Sequence, residues 1–202
     1  MGTRTITVLL LLLGTWVPMC LNSLVPFAES SSAENSNEFL DKIAGVYRNR
    51  FTNRFVRSED GIYQSEDVLE VVPLDKNTAY VRMSLQFFNG HSGGIYGVAT
   101  VQGRTLVYDN RKAGSDHCIV QYIWEDKEIV TKADYDVTPG CTHYHGARGS
   151  LNGAKFKRSS KREIRYMTRL KASREFREAT EKYRTEAAPT ISSPLKSQLS
   201  KP

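Results

Sequence analysis

The chain is short of several things, and each shortage excludes something. It has only three cysteines, and one of them, Cys20, lies in the apolar opening run, which leaves Cys118 and Cys141. Neither the C-x₂-C nor the H-x₃₋₅-H spacing of common structural zinc sites occurs. No histidine precedes His91, which removes the catalytic order of trypsin-like proteases. None of the nine asparagines opens an N-x-S/T sequon, a pattern that fits a bacterial envelope protein. After the first two dozen residues no apolar run approaches the ~20 residues of a membrane-spanning helix. Between Val46 and about Ala133 there is no helical periodicity, so alternating βα units are not expected.

What is present begins with "ITVLLLLLGTWV" behind Arg4, a short apolar run with small and polar residues after it. This predicts a signal peptide over 1–28 and an exported, periplasmic or secreted protein. A lipoprotein anchored through Cys20 is disfavoured, because Pro18 and Met19 stand where small residues are required. Residues 29–38 predict a flexible lead-in, 39–158 a β-rich domain, 159–184 a basic helical segment packed on it, and 185–202 a disordered tail. "EFLDKIA" predicts one or two helical turns stopped at Gly45.

Charge is divided unevenly. From Glu29 to Ala147 there are 12 Lys+Arg against 17 Asp+Glu, and from Arg148 to Arg184 there are 13 against 4. An acidic body with a basic C-terminal segment predicts either an internal match or an anionic partner. The candidate contacts are Arg162, Arg165, Arg169, Lys171, Arg174 and Arg177. Nucleic acid is disfavoured by export.

Period-two patterning dominates the body. "YRNRFTNRF" sets Tyr47, Phe51 and Phe55 on one face and Arg48, Arg50 and Arg54 on the other. "AYVRMSLQF" groups Ala79, Val81, Met83, Leu85 and Phe87. Turn chemistry at 58–61, 73–77, 89–94, 102–104 and 125–127 separates the runs. The fold class is therefore mainly β, an antiparallel meander of about seven or eight strands closing into a barrel or sandwich, followed by one or two C-terminal α-helices.

"SKRE" fits a capping box, with Ser160 as cap and Glu163 reaching back. Ile164, Tyr166, Met167 and Leu170 form one apolar stripe, while Phe176, Ala179 and Tyr183 form another. One straight helix cannot bury both, so a break near Ala172–Ser173 is expected, with Ser173 capping a second helix.

"SDHC" and "CTHYHGARG" hold the remaining cysteines among histidines. In an oxidising compartment a surviving pair is expected to form one disulfide, Cys118–Cys141. The alternative is a zinc site or a thiol enzyme drawn from His117, Cys118, Cys141, His143 and His145. "GHSGG", residues 90–94, matches a nucleophile elbow. However, a strand rather than a helix is predicted to follow it, so it reads as a hairpin tip and no catalytic residue is assigned.

"FLDKIAGVY" resembles the opening of calycin-type barrels such as lipocalins, where a helical turn leads into G-x-W; Gly45-Val46-Tyr47 has tyrosine in the last place. The resemblance implies a closed barrel around a ligand cavity and places no ligand-binding residue. The functional expectation is a non-catalytic exported binding protein with no cofactor. It would hold an apolar or amphiphilic small molecule or an anionic envelope component. An inhibitor of a hydrolase such as lysozyme would be built the same way.

Overall fold

The computed structural model describes residues 35–56, 61–110, 117–133, 139–146 and 148–187. The predicted signal peptide, most of the lead-in and most of the tail lie outside these. Eight strands run in chain order around one antiparallel sheet. They are β1 (Gly45–Arg54), β2 (Ile62–Pro73), β3 (Thr78–Gln86), β4 (Ser92–Gln102), β5 (Thr105–Asp109), β6 (Ile119–Trp124), β7 (Glu128–Ala133) and β8 (Lys155–Lys157). Helix α1 (Ser36–Ile43) precedes them, and α2 (Met167–Lys171) and α3 (Arg174–Ala187) follow. The sheet curls into a nearly closed barrel.

Closure is made just after β8. Val46 and Arg162 exchange both backbone bonds, each 2.9 Å, and the Arg48 amide donates to Ser160 Oγ. Gly45 makes the approach feasible. Its φ is +145°, and a Cβ there would lie 2.8 Å from the Arg162 carbonyl oxygen. Ser160 is therefore not a helix cap. Its hydroxyl donates to the Lys157 carbonyl within a 3₁₀ turn, Arg158–Ser160, and α2 begins only at Met167. The capping-box expectation fails because the same serine is used to seal the barrel. The expected break is present: Ser173 Oγ accepts from the Phe176 amide and starts α3, which runs past the predicted boundary at 184.

Two apolar clusters hold the molecule together. The inner one contains Tyr47, Leu69, Val81, Met83, Ile95, Leu106, Tyr122, Ile129 and Phe156. One barrel end is closed by Phe39, Leu40 and Ile43 of α1, with the Phe39 ring edge-on to Trp124 at 6.2 Å. This helix starts at Ser36, inside the stretch predicted to be flexible, because Asn35 Oδ1 accepts from the Asn37 amide. Tyr47 ties helix to barrel by donating to the Ile43 carbonyl at 2.7 Å. The outer cluster lies between the wall and the C-terminal helices and contains Val46, Val72, Tyr80, Ile164, Leu170 and Ala179. Tyr80 and Phe176 rings meet there at 4.7 Å. Of the two predicted stripes, Ile164, Leu170 and Ala179 are buried and Tyr166, Met167 and Phe176 pack half-buried against them, while Tyr183 is half-buried outside the cluster.

The aromatic face of β1 is not uniformly buried. Tyr47 is covered, Phe51 is half-buried and Phe55, one residue past the end of β1, is 44% exposed. A buried Asn53 sits near that end, donating to the Phe87 carbonyl at 2.8 Å.

Candidate functional site

The barrel wall has a seam. β4 pairs with β3 from Gln86↔Ser92 to Thr78↔Thr100, but with β5 only from Ala99↔Tyr108 to Gln102↔Thr105. At the other end an isolated bridge joins Gly93 to His145. Between these points no strand among the described residues lies beside Gly94–Val98 on the β5 side.

Just past the end of β5 at Asp109, Asn110 is tied to Cys118 and Tyr144. Its Oδ1 accepts from the Cys118 amide at 2.6 Å, and its Nδ2 donates to Tyr144 Oη at 2.9 Å. The inner side of the gap is filled by the Tyr108 ring, which lies across the β4 backbone at Gly97. A Cβ at Gly97 would come within 2.0 Å of that ring, so any side chain there must displace the Tyr108 ring.

The outer side of the gap is a cavity of about 690 Å³ between the wall and α3. That volume falls in the range of small-molecule sites, ~300–1,000 Å³. Four tyrosines line it, Tyr96, Tyr108, Tyr144 and Tyr183, with Val98, Val107 and Ala179 as its aliphatic floor. Tyr96 donates to Glu178 Oε2 at 3.0 Å. Burial raises the Tyr96 phenol above its ordinary value, and the bond to Glu178 adds to the rise. Burial pushes the Tyr108 phenol much further up. Both rings therefore stay neutral near neutral pH. Asp109, Glu178, Glu186 and Lys182 complete the polar lining.

A second cavity, about 500 Å³, lies over β2 and β3 and includes Arg48, Glu70, Arg82, Tyr166 and Arg169. It is built for cohesion. The Glu70 side chain is 1% exposed, and Arg82 grips it twice, Nη2 at 2.9 Å and Nε at 2.5 Å. The Tyr166 hydroxyl donates to the same carboxylate. Glu70 thereby fastens the chain ahead of α2 to the barrel, and Arg169 stacks on the Tyr166 ring at 5.4 Å.

A disulfide joins Cys118 to Cys141, as expected. It is consistent with an exported protein. Its formation consumes the thiolates on which the zinc and thiol-enzyme alternatives depend. Among the described residues no group of three or more His, Cys, Asp or Glu is placed to hold a metal ion. His117 leads into β6 beside Cys118, His143 lies in the 3₁₀ turn Pro139–Tyr144, and His145 packs on Gly93. "GHSGG" is a hairpin tip: Asn89 and Gly90 have φ of 62° and 75°, and β4 follows at Ser92.

The positive charge sits mostly ahead of the helices. Residues 148–171 hold nine Lys+Arg and one acid, whereas 174–187 hold four of each. Several of these cations bind the body. Lys161 Nζ donates to the Lys42 carbonyl at 2.6 Å, at the C-terminal end of α1. Arg158 stacks on Trp124 at 4.1 Å and donates to the Asp126 carbonyl at 2.6 Å. Of the predicted contacts, Arg162 is turned onto the Ser159 and Lys161 carbonyls, and Arg174 lies 3.6 Å from Glu178. Arg165, Lys171 and Arg177 are exposed.

The large apolar side chains exposed among the described residues are Phe55, Val56, Ile62 and Phe88. They share two adjacent hairpin tips, joined where the Val56 amide donates to Asn89 Oδ1 at 3.0 Å. Residue-by-residue reading missed the lining tyrosines and Glu178. The one available signal was Gly97 inside "GIYGVATV", an isolated glycine in a strand. No helix among the described residues is long and apolar enough to cross a membrane. No family model, curated protein or solved structure matches the chain.

Proposed function

We propose that the protein is a non-catalytic, exported binding protein that holds an amphiphilic small molecule in the cavity at the β4–β5 seam. The observation that carries this is the cavity itself: about 690 Å³, tyrosine-lined, aliphatic at its floor and charged at its rim. The resemblance to lipocalin-like barrels had pointed to a space inside the barrel. The inner cluster instead packs side chains such as Tyr47, Met83, Tyr122 and Phe156 together, each at most 1% exposed. The ligand space thus moves to the wall. Native mass spectrometry of the exported protein should show a small-molecule adduct, and Ala179→Trp, which fills the floor, should lose it. A ligand-free wild type, or an adduct kept by the variant, contradicts the reading.

A second reading, docking on a partner protein such as a hydrolase, is favoured by the apolar tips. Four large apolar side chains, each 44–60% exposed, gathered on neighbouring loops suit a protein contact. Ile62→Asp with Phe88→Asp should abolish binding to such a partner while leaving the mass adduct in place.

A further inference from the structure

We infer that the seam cavity recognises an N-acyl amino acid unit, an acyl chain joined through an amide to one extended residue, paired with the backbone edge of β4 at Tyr96; this rests on the binding reading above. The edge carries the inference. The Val101 amide donates to the Asn77 carbonyl, on the β3 side, at 2.9 Å. Backbone groups alternate sides along a strand. In the unbroken β3–β4 register Ile95 and Gly97 therefore face β3, while Tyr96 turns both its N–H and its C=O to the seam. Tyr96 lies three residues from each join, the Gly93↔His145 bridge and the Ala99↔Tyr108 pair. Among the described residues none bonds to its N–H or C=O on that side. A backbone donor and acceptor beside an apolar cavity floor call for a partner.

The partner's chemistry follows from the pairing rule. Facing residues of a hydrogen-bonded antiparallel pair exchange both bonds, so Tyr96 asks for an N–H and a C=O on either side of one extended carbon. An N-acyl amino acid supplies that unit. Its amide N–H donates to the Tyr96 carbonyl, and its residue carbonyl accepts from the Tyr96 N–H. The two joins close the edge on both sides of Tyr96, which limits the pairing to one such residue and favours a small molecule over a long peptide.

The rest of the lining fits the same unit. The charged side chains set no preference for sign: Glu178 is met by Tyr96 and Arg174, Glu186 by Lys182 at 3.9 Å, and Asp109 is not free. The backbone groups of Tyr96 are what the lining leaves open. Antiparallel pairing also fixes direction, because the acyl side of the ligand then points toward Val98. There Val98, Val107 and Ala179 form the aliphatic floor on which the chain can lie.

Calorimetric titration with N-decanoylglycinamide and with its ester isostere, in which oxygen replaces the acyl amide N–H, tests this. The amide should bind about tenfold more tightly, because the ester leaves the Tyr96 carbonyl unpaired. Tyr96→Ala, which keeps the backbone and drops the phenol, should preserve that ratio. In the free wild type the Tyr96 amide should exchange with solvent faster than those of Ile95 and Gly97, and N-decanoylglycinamide should slow it to their level. Equal binding of amide and ester, a ratio that falls to one in Tyr96→Ala, or a Tyr96 amide already protected in the free protein overturns the inference and leaves the binding reading intact. If the amide, the ester and dodecyl maltoside all fail to bind, the binding reading itself fails.

Discussion

The two halves of the barrel are stabilised by different means. Strands β1 to β4 are 10, 12, 9 and 11 residues long, and β5 to β8 are 5, 6, 6 and 3. The long half carries continuous ladders and a second apolar layer beneath α2 and α3. The short half has few ladder bonds and uses local fasteners instead. One is the Cys118–Cys141 disulfide. Another is the buried Thr131, whose hydroxyl donates to the Leu151 carbonyl at 2.6 Å and accepts from the Ala154 amide at 2.9 Å. Where the two constructions meet, at β4 and β5, their strand lengths do not match and the wall parts. The cavity follows from that mismatch.

The comparison can be broken at each half and at the join. Replacing both cysteines by alanine should cost about 3 kcal/mol in urea denaturation, the chain-entropy value for a loop of this size. Amide exchange should rise in β5–β8 first; a uniform rise would show that the halves are not separately stabilised. Glu70→Ala should cost about 2 kcal/mol. That is below the ~3–5 kcal/mol of a fully buried pair because Arg82 keeps 35% exposure and can turn to water. Limited proteolysis should then increase ahead of α2 and leave β5–β8 protected. Gly97→Ala should cost about 1 kcal/mol, at the low end for overpacking, because the Tyr108 ring can move into the adjacent cavity. It should weaken ligand binding more than its effect on stability suggests.

The meander and its inward faces were readable in the sequence because period two maps directly onto sheet faces. Ala79, Val81, Met83 and Leu85 all lie in the inner cluster. The Ser173 break was readable because two apolar stripes could not share one straight helix. The site was not readable. It depends on where β5 stops, and Asn110, just past that end, binds Cys118 and Tyr144, residues 8 and 34 positions away. The misread Ser160 has the same origin: its partner Arg48 is 112 positions distant, and local spacing carries no trace of it. The charge asymmetry was real, but its centre was displaced. Lys161 and Arg158 lie against backbone carbonyls of the body, so much of the basic segment is internal attachment.

Amide exchange with and without saturating dodecyl maltoside, a neutral amphiphile, tests the central claim, that the ligand sits in the parted wall rather than in the lumen. New protection should be confined to Gly94–Val98, Val107–Asn110 and the face of α3 from Glu178 to Glu186. Protection gained instead around inner-cluster residues such as Val120 and Ile129, with the seam unchanged, would contradict it.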